Sequence, residues 1–378
     1  MAGEIAVIYL KQPSVMVLMV LGILMSQSFL TFGLESLQSL NLPITLPQTP
    51  PNVLKSDEMI HVFAQLGAII LLFKVGLHNK LEGIFAKDNL VVAICGVVIP
   101  FIVGYFYAGF TGGAFAYSMF MGAALTATSV GVTVALLKEL NLLGERFSQI
   151  IIGAAVIDDV LSLLVLSFVI NISGGASSIE PLLYTFASAL VFLFGSIVAG
   201  DYFIRYLDRK DMSQRRFLLV LAFMLLYAYL AEFIKLSAIV GAFMAGVILN
   251  RSRHHEEIEG KTYGLELLFM PIFFITLGML VDVKAIADYA VPIIIITIIA
   301  VLTKFIPCTL ASRWAKLKWK DALIVGIGMS PRGEVALIIA SIGLTTAILT
   351  TAEYSVISAM ALLTTFVTPP LLGRLLKN

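Results

Sequence analysis

Long apolar stretches, separated by short polar connections, follow one another along the whole chain. There are twelve such stretches. Most of them have about the length that a helix needs to cross a bilayer, roughly twenty residues. They cover residues 14–34, 59–77, 89–110, 117–138, 148–171, 181–206, 215–235, 237–250, 264–282, 287–310, 321–343 and 353–376. The eighth is short, which predicts a tilted or partly irregular span. The pattern predicts an all-α polytopic membrane protein, with residues 1–378 forming a single membrane domain of about twelve transmembrane helices.

The composition indicates the same class of protein. Of the 378 residues, 59% are hydrophobic and 13% are charged, whereas a soluble domain has roughly 25% charged residues. The formal net charge of +1 does not indicate a nucleic-acid partner, and membrane lipids are the expected surroundings. Cys95 and Cys308 both lie in apolar stretches, so no disulfide framework is predicted. We expect no cofactor.

The positions of Lys and Arg test the number of spans, because cytoplasmic connections are enriched in them. Nineteen of the 25 lie at the termini or in even-numbered connections, which predicts a plasma (inner) membrane protein with both termini cytoplasmic. The other six lie on the opposite side or within spans: Lys55, Lys235, Lys284, Lys74, Lys304 and Arg332. Lys74 lies near the cytoplasmic end of its span, so we expect its ammonium to reach water. The Pro-rich stretch 41–51 predicts an irregular external loop.

Two adjacent carboxylates, Asp158 and Asp159, lie near the centre of the apolar stretch 148–171. An ionised carboxylate at mid-membrane is unfavourable, and residues of this kind usually mark an ion or proton pathway. The alternative is a carboxylate held permanently by one basic partner as a packing device. The doublet is therefore the candidate functional site.

Lys304 is the expected partner for one of these aspartates. It precedes Arg313 by nine residues, roughly 14 Å along a helix, and Asp158 follows Arg146 by twelve, roughly 18 Å. The lysine and the doublet are thus predicted to lie at similar depth from the cytoplasmic face. One lysine can neutralise one carboxylate, so the second is the one that a cation or proton would neutralise.

Two stretches carry matched helix interruptions. The fourth contains TATSVGVT (126–133), and the eleventh contains GIGMSPRGE (326–334), both poor in helix-forming residues. A Gly-rich helix-packing surface would explain either one alone. Interruptions at equivalent places in two oppositely oriented triplets, spans three to five and ten to twelve, are typical of transporters with inverted repeats. We expect the two breaks to cross near the doublet, where unwound carbonyls can bind a cation.

Three residues of the eleventh stretch are expected to support its broken helix. They are Pro331, Arg332 and Glu334. Arg332 and Glu334 can neutralise each other at mid-membrane, or the ends of the half-helices, so we assign them a mainly structural role.

Five motifs in this order resemble sodium/proton antiporters of the monovalent cation/proton antiporter superfamily, CPA2 branch. They are LLFKVGL (71–77), ATSVGVT (127–133), GAAVIDDV (153–160), LTKF (302–305) and PRGE (331–334). The resemblance implies a homodimer with a mobile core domain at about 89–171 and 287–376. It also implies a dimerisation domain at about 14–77 and 215–282, and a linker helix at about 181–206.

The resemblance also implies roles for individual residues. Asp159 would be the carboxylate that binds the ion and carries the proton, and Asp158 would pair with Lys304. Thr128 and Ser129 would border a Na⁺ ion held at Asp159 and Asp158. The Asp-Asp pair with its lysine resembles the electrogenic members, in which exchange of Na⁺ or Li⁺ for H⁺ moves net charge.

Other functions remain open from the residues alone. A K⁺/H⁺ antiporter and a Na⁺-coupled organic anion symporter of related fold are the alternatives among transporters. A channel would suit the broken helices, but a titratable doublet favours alternating access. An intramembrane aspartyl protease would need its aspartates on separate helices and a GxGD motif, so we do not expect an enzyme.

Overall fold

The computed structural model describes residues 14–39, 58–79, 86–173, 180–209, 211–234 and 236–377. The predicted external loop at 41–51 lies outside these ranges. Within them every regular element is a helix. The helices are α1 (Ser14–Met25), α2 (Gln27–Ser39), α3 (Glu58–Leu77), α4 (Lys87–Phe110), α5 (Phe115–Thr126), α6 (Gly131–Glu139), α7 (Arg146–Ser173), α8 (Glu180–Leu207), α9 (Gln214–Phe233), α10 (Ala238–Leu249), α11 (His255–Met279), α12 (Val283–Asp288), α13 (Ala290–Trp314), α14 (Trp319–Gly328), α15 (Glu334–Thr345) and α16 (Thr351–Lys377).

Each of the twelve predicted apolar stretches contains helix, and the fourth and the eleventh are interrupted. Among the described residues, nine helical segments are long and apolar enough to cross a membrane, or ten if the bent pair α1 and α2 counts as one span. The remaining two predicted spans correspond to the twelve-residue helix α10 and to the interrupted pair α14 and α15. The all-helical fold class is therefore confirmed, and the short eighth span is a single short helix.

Two local features were not predicted, and both arise from side-chain capping. The first span bends by 55° at Ser26, whose hydroxyl accepts a hydrogen bond from Phe29 N at 3.1 Å. Asp282 Oδ1 similarly accepts from Ala285 N at 3.1 Å and starts the extra short helix α12. A short polar side chain that bonds the backbone in this way starts a new helix.

Five helices, α1, α3, α9, α10 and α11, pack against one another. Their closest contacts run through glycines that allow backbones to touch. A Cβ atom on Gly246 would lie 2.0 Å from the Phe73 carbonyl oxygen, and one on Gly278 would lie 2.0 Å from that of Met19. This first group therefore holds together as a tightly packed unit.

The second group contains α4 to α7 and α13 to α16. It consists of two triplets, and each has a long helix, an interrupted helix and another long helix. The triplets meet through contacts of α4 with α13 and of α5 with α15. Helix α8 contacts α7 in this group and α10 in the first, so it bridges the two.

Candidate functional site

The two interrupted spans break where their sequences predict. Helix α5 ends at Thr126, and residues 127–130 are non-helical before Gly131 starts α6. In the other span α14 ends at Gly328 and α15 begins at Glu334. Pro331 has no N–H to donate and disfavours helical backbone in the residue before it, which explains the second break.

The two breaks cross in contact with each other. The Ser129 N–H donates to the Pro331 carbonyl oxygen at 2.9 Å, and Thr133 Oγ1 donates to the Gly328 carbonyl oxygen at 2.8 Å. A Cβ atom on Gly333 would lie 2.5 Å from both Cβ and Oγ of Ser129, so only glycine fits this crossing. The prediction of two crossing broken helices is confirmed.

Asp158 and Lys304 form a buried ion pair beside this crossing. Lys304 Nζ lies 2.7 Å from Asp158 Oδ1, and the two side chains are 0% and 1% exposed. The Thr128 hydroxyl lies near this carboxylate. Within the described part of the chain, however, neither Thr128 Oγ1 nor Asp158 Oδ2 has a hydrogen-bond partner with good geometry.

Gly96 on α4 leaves space for the side chain of Lys304. This role of Gly96 was not predicted from the sequence. A Cβ atom at Gly96 would lie 3.2 Å from Lys304 Nζ and 3.1 Å from Cys308 Sγ. Both distances are shorter than ordinary van der Waals contacts. The absent side chain at Gly96 thus allows the lysine to reach its partner.

Asp159 occupies a different environment from its neighbour. It is only partly buried, and its Oδ2 accepts a hydrogen bond from the backbone N–H of Ser237 at 3.3 Å. Ser237 is the N-cap of α10, and its own side chain accepts from Ile239 N at 3.3 Å. The Asp159 carboxylate thus lies at the positive end of the α10 helix dipole.

A small cavity opens beside Asp159, between the two helix groups. Its polar lining comes from Asp159, Thr128 and Ser237, and its apolar lining from side chains of α3, α7 and α10 such as Leu72 and Phe243. The cavity has a volume of about 40 Å³, enough for a few water molecules. Carboxylate, hydroxyl and carbonyl oxygens are the ligands that hard cations prefer.

The four predicted ion-binding residues thus lie close together, but only two of them line the cavity. Asp159 and Thr128 line it. Asp158 and Ser129 lie next to these two in the chain, with Asp158 turned to Lys304 and Ser129 bonded to the other broken span. Ser237 was missed: a serine before an apolar run predicts a helix start, but sequence cannot show which residue that start faces.

Arg332 is completely buried at the second break. Its Nη2 donates to the Ala300 carbonyl oxygen at 2.9 Å, and its backbone N–H donates to Thr364 Oγ1 at 3.0 Å. The hydroxyl of Thr365 donates to its carbonyl oxygen. The side chain of Glu334 lies outside the described part of the structure, so its pairing with Arg332 stays a prediction.

A second buried ionic group lies away from the crossing, and it corrects one expectation. Lys74 does not extend to water: it is 3% exposed, and its Nζ lies 2.6 Å from Glu266 Oε2. The ammonium of Lys138 contacts the other oxygen of the same carboxylate. The expectation for Lys74 was wrong because it considered depth along one helix and ignored a carboxylate that α11 supplies from elsewhere in the chain.

Comparison with known proteins agrees with this architecture. Residues 3–378 match the sequence profile of the family described as "Sodium/hydrogen exchanger, transmembrane". The chain is 31% identical to the Na(+)/H(+)-K(+) antiporter GerN of Bacillus cereus, covering 98% of this chain and 92% of that protein. It is 34% identical to the high-affinity Na(+)/H(+) antiporter NhaS3 of Synechocystis, covering 88% and 75% respectively.

A solved structure shows the same fold. The sodium proton antiporter MjNhaP1 of Methanocaldococcus jannaschii, at pH 8, superposes with a TM-score of 0.63 over 99% of this chain and 94% of that chain, at 18% identity. The fold and site thus define a membrane transporter of the antiporter type. The chain belongs to the sodium/hydrogen exchanger family. The resemblance drawn from the motifs is confirmed at this level, and the CPA2 branch stays a prediction.

Proposed function

We propose that this protein is a secondary active transporter that exchanges Na⁺ for H⁺ across the membrane. The observation that carries the proposal is the contrast between its two adjacent aspartates. Asp158 is neutralised by Lys304 at 2.7 Å, whereas Asp159 lines a cavity that is also lined by Thr128. The cavity therefore contains an ionisable group that either a cation or a proton can neutralise.

Competition for one carboxylate explains why the two ions move in opposite directions. Na⁺ bound at Asp159 excludes the proton, and a bound proton removes the charge that attracts Na⁺. The hydroxyl of Thr128 and the unwound backbone at 127–130 supply further oxygens, with Asp158 and Ser129 beside them. These oxygens would replace part of the hydration shell of the ion. No catalytic chemistry and no cofactor are needed.

Alternating access follows from the position of the cavity between two helix groups. We assign the second group, α4 to α7 and α13 to α16, as the mobile core, and the first group as the scaffold through which two copies form a homodimer. Asp159 on α7 belongs to the core, and Ser237 at the start of α10 belongs to the scaffold. Movement of the core along the scaffold would carry the ion from one side of the membrane to the other.

The ion pair gives the exchange its proposed electrical character. When a cation reaches Asp158 as well as Asp159, Lys304 loses its partner, and a buried ammonium without a counter-charge tends to release its proton. Two protons would then move for one sodium ion, so each cycle would transfer a net charge.

The charge distribution supports an orientation with cytoplasmic termini in the plasma (inner) membrane. Basic residues cluster on that side, such as Arg205 in the last turn of α8 and Arg209 after it, and Lys316 and Lys318 after α13. Connections with such clusters stay in the cytoplasm. Sodium extrusion in exchange for external protons would serve pH homeostasis.

K⁺ is the alternative cargo, supported by the relative described as a Na(+)/H(+)-K(+) antiporter. Li⁺ resembles Na⁺ in charge and ligand preference and is expected to be carried too. An organic anion is disfavoured, because the cavity of about 40 Å³ is small and contains a carboxylate.

Everted membrane vesicles loaded with a pH-sensitive dye test this function. Addition of NaCl or LiCl should dissipate a preformed proton gradient, and the apparent sodium affinity should weaken as the pH falls. Asp159→Asn should abolish both responses while the protein stays folded, as judged by a single monodisperse species in detergent. Exchange at the parent rate in the Asn variant would reject Asp159 as the site. A response to KCl alone would identify a potassium exchanger.

A further inference from the structure

Three largely buried charged side chains meet at the end of α6. Glu266 on α11 is 8% exposed and contacts both Lys74 on α3 and Lys138 on α6. The Tyr263 ring lies 5.2 Å from the Lys74 ammonium. One carboxylate is therefore shared by two ammonium groups, and an arrangement of this kind inside a membrane protein usually has a function.

The two ion pairs of Glu266 connect different parts of the molecule. Lys74 and Glu266 lie on α3 and α11, which pack together in the scaffold. Lys138 lies in the last turn of α6, the core helix that also contacts α1 and α3. The bond from Lys138 to Glu266 therefore crosses from core to scaffold, whereas the bond from Lys74 to Glu266 stays within the scaffold.

A second polar contact crosses the same boundary at the next residue. Ser14 Oγ, at the start of α1, donates to Glu139 Oε2 at 2.6 Å. Both contacts lie at the end of α6 that is remote from the cavity, since Gly131 at its start lines the cavity and Lys138 is seven residues further, roughly 10 Å. Helix α6 thus extends from the ion cavity to these two polar contacts between core and scaffold.

The exposed fractions of the two lysine side chains indicate which of the two ion pairs can break. The Lys138 side chain is 21% exposed and the Lys74 side chain is 3% exposed. When the core moves, Lys138 can exchange Glu266 for water, while Glu266 stays neutralised by Lys74. Each state then keeps its buried charges paired, which is the condition for an ionic contact that opens and closes inside a membrane.

We propose that Lys138 and Glu266 form an ionic latch that holds the core against the scaffold in the conformation seen here. This inference rests on the assignment of mobile core and scaffold under the proposed function. Closing the latch favours the conformation in which Asp159 contacts Ser237, and opening it frees α6 to move with the core. The latch thereby sets the balance between the two access states of the cavity.

A matched pair of substitutions tests the latch. Lys138→Gln and Lys74→Gln each remove one positive charge from the same group and leave one ion pair with Glu266, but only Lys138→Gln breaks the link between core and scaffold. Access to the cavity is read from a cysteine at Val156, which lines it. A membrane-impermeant thiol reagent is applied to right-side-out and to everted vesicles, and labelling of Cys95 and Cys308 in the parent chain is subtracted.

Lys138→Gln should change the ratio of labelling from the two sides several-fold, and Lys74→Gln should leave it unchanged. Lys138→Arg keeps the positive charge and should keep the parent ratio. Lys138→Met removes the charge but keeps an apolar stem, and it provides a test if Lys138→Gln fails to fold. An unchanged ratio in Lys138→Gln, an equal change in Lys138→Gln and Lys74→Gln, or a changed ratio in Lys138→Arg would each overturn the latch.

Labelling reports access without requiring transport, so failure of the latch and of the proposed function can be told apart. A chain that exchanges sodium normally but shows no change of ratio in Lys138→Gln rejects the latch alone. A chain that shows the change but exchanges no cation for protons rejects the exchange function and retains a latch between two access states.

Discussion

The Asp159 carboxylate on α7 accepts a hydrogen bond from the backbone N–H of Ser237, 3.3 Å away at the start of α10. The donor is a backbone group, so every residue except proline can provide this hydrogen bond at position 237. The residue that we propose to bind the ion is in this way bonded to a helix of the other group.

A pair of substitutions at Ser237 separates the backbone donor from the side-chain cap. Ser237 has φ −65° and ψ 135°, which proline also adopts, so Ser237→Pro removes the N–H, whereas Ser237→Ala removes only the hydroxyl cap. The N–H competes with Na⁺ for an oxygen of the Asp159 carboxylate. In Ser237→Pro the sodium concentration for half-maximal exchange should therefore fall, by up to about tenfold.

The alanine variant is the control for this prediction. It should keep the parent half-saturation and lose only the stability of one helix cap, about 1 kcal/mol. Equal sodium half-saturation in the proline variant and the parent, measured by dye dequenching in everted vesicles, would show that the Ser237 N–H does not influence the site.

Thr128 should contribute more to sodium affinity than Ser129. Thr128 lines the cavity and its hydroxyl lies near Asp158, whereas the Ser129 backbone is bonded to Pro331 and its side chain packs against Gly333. Loss of one oxygen ligand in Thr128→Ala should raise the sodium concentration for half-maximal exchange by about tenfold, with the maximum rate retained. Thr128→Ser keeps the hydroxyl and should behave like the parent. Identical half-saturation in the Ala and Ser variants would remove Thr128 from the site.

The pair of Asp158 and Lys304 should determine voltage dependence. Asp158→Asn together with Lys304→Gln removes both charges at once, and we expect exchange that continues but no longer transfers net charge. One charge crossing 100 mV corresponds to about 2.3 kcal/mol, so the parent should respond strongly to an imposed potential. Proteoliposomes with a potassium and valinomycin potential provide the measurement. A parent that ignores the potential, or a double variant still driven by it, contradicts the assignment.

Lys304→Ala alone should be less stable than this double variant. It leaves the Asp158 carboxylate buried without its partner, a change that costs about 3–5 kcal/mol. Thermal unfolding in detergent should rank the double variant above the single one.

Gly333→Ala should destabilise the crossing of the two broken spans. Its new methyl group would lie 2.5 Å from Ser129 Cβ, an overlap that costs about 1–3 kcal/mol. Gly264→Ala on α11 is the matched control, since no atom lies within 4 Å of its added methyl group, and it should stabilise the helix by about 1 kcal/mol. Ser129→Gly introduced with Gly333→Ala should recover part of the loss. Equal melting temperatures for Gly333→Ala and the parent would show that the crossing accommodates the added methyl group without strain.

The sequence predicted those features that depend on position along one helix. Apolar length identified the spans, weak helix formers identified both breaks, and counting residues from Arg146 and Arg313 put Asp158 and Lys304 at one depth. The branch, the domain boundaries and the ion-binding roles stay predictions.

Two features that depend on which helices become neighbours were missed. Glu266 is a single carboxylate in an apolar stretch, and nothing local shows that two lysines from α3 and α6 reach it. Gly96 appears as one glycine among 29, and its contact with Lys304 is visible only when α4 packs against α13. Contacts between distant helices are set by the packing of the whole bundle, which hydropathy does not encode.

The shortness of α10 has an electrical consequence. Its twelve residues extend about 18 Å, against about 30 Å for the hydrocarbon layer. If the low-dielectric barrier beside Asp159 is no thicker than this helix, a given membrane voltage produces there a field about 1.7 times that across a full bilayer. A displacement of one net charge beside Asp159 by one helical turn, about 5.4 Å, would then cross about 0.3 of the voltage, or about 0.7 kcal/mol per 100 mV. In the proposed exchange the proton-loaded site is neutral, whereas the sodium-loaded site has one net negative charge once Lys304 has released its proton. The movement of the sodium-loaded core would therefore be the step that the membrane potential speeds or slows.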